Sequence, residues 1–365
     1  MVGRAAAWDL VRRGHQTTVA DVDKAVASAT ADAAGADAAV VNASDLADLS
    51  RFLDSVDLVV AAIPYSFGEK VAAAAIESGT HYLDFGGNPT IVAAQLRLDG
   101  AAADKEVAIV PDCGLAPGMA NVLAVHLVEG MGDGIVDELR IRVGALPQSP
   151  QGALGYQWAF YQGGLINEYA EMCEVLENGE RRLVEPLTGF EEVHWDPWGP
   201  LEAFNTAGGS STLPARFEGR IKSLDYKTLR TPGHGAAFKA MGEIGLFDQT
   251  PQPGTGAAPR SMLLEALDTH LPRGGQDVVL VRISTSAERS GRRILAGLQV
   301  EDVHDGSFSA LARTTAFPAT ALAYAIVGGD VPPGARTMSE AIGAARMLAE
   351  LEPVGITATP WPGPG

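Results

Sequence analysis

Along the first 115 residues, short apolar runs alternate with stretches whose apolar positions recur at helical spacing. Residues 5–13 read as a helix closed by Gly14, and 16–20 as a β-branched strand that ends at Asp21. Residues 24–34 form a second helix, 38–41 a short strand, and 45–54 a third helix. The continuous apolar run 58–63 is a strand stopped by Pro64. A helix over 69–78 capped by Gly79, a strand over 81–85, a helix over 91–105 and a strand over 107–111 complete the pattern. Strands that are apolar throughout and separated by helices of about ten residues predict a parallel sheet covered on both faces, the doubly wound α/β arrangement.

After about Pro117 the rhythm changes. Residues 119–129 look helical, and 137–145 (D-E-L-R-I-R-V-G-A) alternate polar and apolar, as a half-exposed antiparallel strand does. Further β-rich stretches fall at 221–228, 278–284 and 293–300, separated by Gly- and Pro-containing segments such as 147–155 and 196–200. A second, mixed α+β domain is expected there. Residues 320–327 and 338–351 read as apolar helices, and the end, T-A-T-P-W-P-G-P-G, as a disordered tail.

The opening M-V-G-R-A-A-A changes the picture at the nucleotide end. Gly3 before an Ala-rich helix resembles the third glycine of a G-x-G-x-x-G fingerprint, and Asp21 stands where an acid binds the ribose hydroxyls of NAD. The first strand and the first two glycines of that fingerprint would precede Met1, and without this central strand two strands would lack a partner in the sheet. The expectation is therefore that the natural chain begins about ten residues earlier. A plain βα turn around Asp21 is the alternative.

Composition narrows the function. With 27 basic against 45 acidic residues the net charge is −18, which disfavours nucleic acid as a partner. The apolar runs at 58–64 and 71–76 are far short of the roughly 18–20 residues needed to cross a bilayer, so no membrane span is expected. Two cysteines, Cys113 and Cys173, make no disulfide framework, and the charged N-terminus lacks the apolar core of a secretory signal; a cytoplasmic location is expected. No His or Cys spacing suits a metal, so none is expected.

Four segments are distinctive: 111–119 (P-D-C-G-L-A-P-G-M), 199–212 (G-P-L-E-A-F-N-T-A-G-G-S-S-T), 225–234 (D-Y-K-T-L-R-T-P-G-H) and 312–317 (A-R-T-T-A-F). Together, and in order over nearly the whole chain, they resemble the saccharopine dehydrogenase-like family, most closely its lysine 6-dehydrogenases. The resemblance implies a Rossmann NAD-binding domain over 1–118, a catalytic and oligomerisation domain over 119–316, and C-terminal helices over 317–352 that return to the first domain, with 353–365 as the tail. It implies NAD-dependent oxidation of a C–N bond, with NADP less favoured: the ε-amine of L-lysine would become an imine that water opens to the semialdehyde. A saccharopine reductase-type or carboxynorspermidine-type enzyme is the alternative, as is a catalytically dead relative that binds a ligand. An amino acid or polyamine substrate and a homodimer or larger homo-oligomer are the expected partners.

Candidate site residues follow from chemistry and position. Ile63 and Pro64, Asp84 with Gly86 and Gly87 in D-F-G-G-N, and Asp112 with Cys113 all follow parallel strands, where open α/β sheets bind ligands, and join Gly3 and Asp21 as cofactor candidates. Asp112 is also a catalytic candidate beside the nicotinamide, while Cys113 could equally be a buried filler. Arg230 suits a substrate carboxylate, Glu202 a cationic amine, and Asn205 and Thr206 offer further polar contacts. His234, in the R-x-x-G-H pattern shared with the family, is the first candidate base, and Lys227 the second.

Overall fold

The computed structural model describes residues 1–362, which divide into two compact units: Met1–His126 with Ala312–Thr357, and Leu127–Leu311 with the segment from Ala358 onward. The unit boundaries therefore differ from the expected 118/119 and 316/317 by several residues.

The first unit carries α1 (Val2–Arg12), β1 (Thr18–Asp21), α2 (Lys24–Ala34), β2 (Asp37–Val40), α3 (Leu46–Leu53), β3 (Leu58–Ala61), α4 (Gly68–Ser78), β4 (His81–Asp84), α5 (Pro89–Leu96), α6 (Asp99–Asp104) and β5 (Ala108–Val110). Helix starts follow local chemistry. The carboxylates of Asp23 and Asp45 and the amide of Asn88 accept backbone N–H groups at the first turns of α2, α3 and α5. The helix expected over 91–105 is two helices. Arg97 and Leu98 close α5 by bonding back to Ala93 and Gln95, and Asp99 opens α6, where its charge suits the helix dipole.

All strand pairs in this unit are parallel, but they form two sheets: β1 with β2, and β3, β4 and β5 in line. One edge of β1 and one edge of β3 are unpaired among the described residues. Helix α1 touches both halves, since a Cβ on Gly3 would stand 3.2 Å from the Cβ of Ala62 at the end of β3, and Val11 approaches Gly35 after α2. The core beneath α3 and α4 is built by Leu49, Leu53, Val71, Ile76, Tyr82 and Ile109.

From α7 (Met119–Gly130) the chain enters the second unit: β6 (Val136–Pro147), α8 (Gln162–Ala170), β7 (Cys173–Glu177), β8 (Glu180–Val184), β9 (Glu191–Trp195), β10 (Gly199–Asn205), α9 (Leu213–Phe217), β11 (Ile221–Arg230), α10 (His234–Glu243), α11 (Pro259–His270), β12 (Asp277–Arg289) and β13 (Arg292–Val303). It then returns through α12 (Ala310–Val327), β14 (Gly334–Ala335), α13 (Met338–Ala341) and α14 (Ala344–Leu351), and ends on β15 (Ala358–Pro360). The second unit is one mixed nine-stranded sheet whose backbone runs β15-β13-β12-β6-β11-β10-β9, with β7 beside β11 and β8 beside β7. Only β6 and β11 pair in parallel. The helices α8, α10 and α11 bury Leu165, Ile166, Tyr169, Phe238, Leu263 and Leu267 in a common core.

Two expectations are corrected here. Residues 358–360 are a strand rather than disordered: they pair with β13, and Trp361 donates its amide to Gly297 and stacks its ring on Arg282, whose other side faces Trp195. Residues 363–365 lie outside the described part. Helix α12 is 18 residues long and apolar enough to cross a membrane, because it runs through Pro318 where the sequence reading placed only 320–327. Most of α12 is buried within the protein, and Thr320 on it donates to the buried carboxylate of Asp9 on α1.

The open edges make a prediction. Amides of β1 and β3 that point away from their single partner should exchange with solvent well before those of β4, which is paired on both sides. Equal protection of Leu58–Ala61 and His81–Asp84 by hydrogen-exchange mass spectrometry would show that the edge of β3 is covered.

Candidate active site

In the first unit the cofactor candidates do gather at the carboxyl ends of parallel strands. Asp21 ends β1 half-exposed, and its carboxylate accepts the amide of Asp23. Ile63 and Pro64 follow β3 and are exposed. The first turn of α1, beside Gly3, has no side-chain cap.

Asp84 is different. Its Oδ1 accepts the amides of Gly86 and Asp112 at 2.8 and 2.9 Å, and its Oδ2 accepts the Tyr82 hydroxyl and the Gln95 amide at 2.8 and 2.7 Å. This carboxylate ties the loop after β4 to the loop after β5, which leaves it no capacity for a ligand. Gly86 serves the same junction: at φ 72°, a Cβ there would overlap Asp112 Oδ1 at 1.8 Å. Asp112 itself is buried at φ 59°, and its side chain packs against Gly86 rather than standing open as a catalytic acid. Gly87 remains exposed on the loop. Cys113 is wholly buried, its thiol facing the carbonyl of Val110, and burial pushes its pKa well up. The filler reading holds for its side chain.

In the second unit the candidates gather on two neighbouring strands. The β10–β11 register sets Glu202 opposite Arg230 and Asn205 opposite Lys227. Arg230 is 4% exposed, yet among the described residues no carboxylate lies within ion-pair distance of it. Its Nε donates to the Tyr169 hydroxyl at 3.0 Å, one terminal nitrogen donates to the carbonyl of Leu229, and the ring of Tyr156 lies 5.4 Å from the guanidinium carbon.

Tyr169 completes a directional relay. With its oxygen taken up by Arg230, its proton goes to His234 Nε2 at 2.9 Å, and His234 Nδ1–H donates to the carbonyl of Leu154 at 2.9 Å; the tautomer follows from the partners. Both ring nitrogens of His234 are therefore used. The ring is 0% exposed and stacks on Phe238. Burial, with Arg230 adding to it, drives its pKa down to about 3. The expected base is instead a neutral strut that aims Tyr169.

Three other expectations change for similar reasons. Both oxygens of Glu202 accept backbone amides, of Gly233 and Gly235, at the start of α10, so it caps a helix rather than receiving an amine. Lys227 donates to Glu191 and to the carbonyl of Gly189, with Asp225 at 3.7 Å, within a charge cluster that also holds Arg142. It is spent on that cluster and does not serve as a base. Asn205 bonds Thr188, and Thr206 bonds Thr228 at 2.7 Å, bracing the sheet. In the adjoining G-G-S-S-T segment, Gly209 lies where a Cβ would strike the ring of Tyr226 at 2.2 Å.

Sequence reasoning missed Tyr156, Glu168 and Tyr169. The two tyrosines surround Arg230, and burial raises the phenol pKa of both, Tyr169 to about 12. Glu168 precedes Tyr169 on α8 and is close enough to Arg230 to feel its charge. The pairing of Tyr169 with the apolar Leu165 and Ile166 in L-I-N-E-Y-A was the available signal of a buried helix face.

The comparisons decide the kinship. The model described as Saccharopine dehydrogenase NADP binding domain matches residues 1–110, and the one described as Saccharopine dehydrogenase C-terminal domain matches residues 114–356. The chain belongs to the saccharopine dehydrogenase family.

Among curated members of this family, the saccharopine dehydrogenase (NADP(+), L-glutamate-forming) of Pyricularia oryzae is 25% identical over 273 residues, covering 71% of this chain and 59% of that protein. The mitochondrial alpha-aminoadipic semialdehyde synthase of Rattus norvegicus is 22% identical over 213 residues, 56% of this chain and 23% of that protein. The chain thus spans less than two thirds of the length of either. Among solved structures, the apo saccharopine dehydrogenase (L-Glu forming) from Saccharomyces cerevisiae shares the fold with a TM-score of 0.81 at 16% identity, over 99% of this chain and 97% of that one. The homospermidine synthase from Legionella pneumophila, in complex with NAD, gives 0.67 at 10% identity, over 97% and 88%.

The relay carries a pH prediction. His234 is neutral when folded but protonates below pH 6.5 when unfolded, so its contribution to stability is full above pH 6.5 and is lost as pH falls toward 3. Urea unfolding of the parent should weaken over that window by a component that His234→Gln lacks. Identical pH slopes in the two proteins would contradict the buried neutral ring.

Proposed function

We propose that this chain is a nicotinamide-dependent oxidoreductase that oxidises the side-chain amine of an amino acid, with L-lysine as substrate and NAD as cofactor. The observation that carries this reading is Arg230, a buried guanidinium bonded only to neutral groups. An unpaired buried cation is costly, and a substrate carboxylate relieves that cost with a bidentate pair.

The first unit fits a dinucleotide. The uncapped first turn of α1 presents backbone N–H groups to a pyrophosphate, Asp21 accepts ribose hydroxyls, and Ile63, Pro64 and Gly87 line the exposed strand ends. The family description favours NADP, but Asp21 and Asp23 put two carboxylates where a 2′-phosphate would go, which supports NAD. When bound, the nicotinamide supplies a two-electron hydride acceptor. The rest falls to the protein. Arg230 holds the carboxylate, Tyr169 and His234 fix the guanidinium, and the ring of Tyr156 screens it from water.

A second reading is favoured by the relatives' names: a saccharopine-type secondary amine that carries more carboxylates. Each extra carboxylate would need a further cation. Arg142 on β6 and Lys227 on β11, the other buried arginine and lysine among the described residues of the second unit, are neutralised by Glu191 and Asp225. That supports a substrate with one carboxylate.

Two predictions follow from this site. Arg230→Ala should lower kcat/KM for L-lysine about 10²-fold or more, corresponding to the 2–5 kcal/mol typical of a truncated buried charge pair, while 1,5-diaminopentane, which lacks the carboxylate, should lose far less. Equal losses with both substrates would make Arg230 structural. Asp21→Ser should weaken NAD and narrow its advantage over NADP in steady-state kinetics; an unchanged cofactor ratio would remove Asp21 from the site.

A further inference from the structure

Two tyrosines meet the Arg230 guanidinium, and they differ in whether their hydroxyls are already spent. Tyr169 accepts from Arg230 Nε and donates to His234. The ring of Tyr156 lies 5.4 Å from the guanidinium carbon, and its hydroxyl is buried with no hydrogen-bond partner among the described residues. Arg230 also keeps a donor in hand. Its Nε and Nη1 are bonded to Tyr169 and Leu229, while Nη2 has no acceptor among the described residues. Two buried donors in one cluster therefore lack an acceptor, and each is costly in that state.

The chain on both sides of Tyr156 is fixed against the end of β11. The carbonyl of Leu154 accepts His234 Nδ1–H at 2.9 Å, and the carbonyl of Gly155 accepts the hydroxyl of Thr231, the residue after Arg230, at 3.1 Å. Gly155 has φ 51°, and a Cβ there would stand 2.1 Å from Thr231 Oγ1, so a side chain is excluded. Beyond Tyr156, the amide of Trp158 donates to the carbonyl of Pro272 at 2.8 Å. The Tyr156 ring meets His234 edge-on with centroids 5.2 Å apart. Between this loop and the segment joining α11 to β12 lies a cleft of about 300 Å³, lined by Tyr156 with Gln148, Gln157, Arg273 and Gln276. None of its lining residues is acidic.

We propose that the Tyr156 hydroxyl is a second donor to the substrate carboxylate, so that the group paired with Arg230 also accepts a hydrogen bond from Tyr156. This deepens the amine-oxidation reading above and rests on it. A carboxylate has about four lone-pair sites, enough for the guanidinium and a phenol together. Burial pushes the Tyr156 pKa upward, which keeps its proton in place across the neutral range. The adjoining cleft gives the ring room to turn as the ligand arrives.

The test compares the full-length parent with Tyr156→Phe, which removes only the hydroxyl. L-Norleucine, with the carboxylate of lysine but no side-chain amine, reports on the site without turnover. In calorimetric titrations with NAD or NADP present, its Kd should rise roughly 10–100-fold in Tyr156→Phe, the effect of losing one hydrogen bond to a charged group. The KM of L-lysine should rise by a similar factor with kcat within a few-fold, because the bond is made equally in ground and transition states. The diamine 1,5-diaminopentane, which has no carboxylate, should be affected far less. Without ligand, Tyr156→Phe should unfold in urea no earlier than the parent, since it gives up a buried polar atom that had no partner.

If L-norleucine fails to bind the parent, no carboxylate site is present and the functional reading fails with the proposal. If it binds, but Tyr156→Phe changes its Kd by less than a few-fold, loses as much with the diamine as with L-lysine, or unfolds earlier than the parent, the proposal alone is overturned.

Discussion

A guanidinium removed from water with no carboxylate in ion-pair distance among the described residues is the constraint on which the account of the second unit turns. Desolvating such an ion costs several kcal/mol even after relaxation. The hydrogen bonds from Arg230 to Tyr169 and Leu229 return roughly 1.5–3 kcal/mol each, and the Tyr156 ring adds less than that. Neutral partners therefore offset the cost only in part, and they do so by being fixed. Tyr169 can accept from Arg230 because its own proton is committed to His234, which is committed in turn to the carbonyl of Leu154. Glu202 caps α10 and so holds the helix that carries His234. Glu191 and Asp225 are paired with Arg142 and Lys227 rather than with Arg230.

The first unit uses a carboxylate in the opposite way. Asp84 accepts four hydrogen bonds and locks the loops after β4 and β5 against each other. Gly86 is required there by the approach of Asp112, and the buried thiol of Cys113 fills the space behind. Gly87 is left exposed on the loop at that junction, and Ile63 and Pro64 are exposed after β3. Rigid support under an exposed rim is what a dinucleotide needs from an α/β sheet.

The parallel layer was legible because β3 and β5 are apolar throughout and the helices of this unit carry recognisable caps such as Asp23, Asp45 and Asn88. Arg230 stood out in the sequence as a site candidate, and what the fold adds is its burial among neutral partners. What a residue type does not reveal is whether its polar atoms are already spent. His234, Lys227, Glu202 and Asp84 all have the side chains that catalysis requires, and in each the long-range partners, Tyr169, Glu191, Gly235 and Asp112 among them, consume that capacity. Tyr156 and Tyr169 were overlooked because only the fold brings the ring of one and the hydroxyl of the other to Arg230.

The central claim is that Arg230 awaits an anionic group from the substrate, and its Nε–H signal in a ¹⁵N-correlated NMR spectrum, identified by its loss in Arg230→Lys, reports on that directly. Added L-lysine should shift this signal in a saturable way, whereas 1,5-diaminopentane at the same concentration should leave it where it was. A signal that ignores L-lysine, or moves equally with the diamine, would contradict the account.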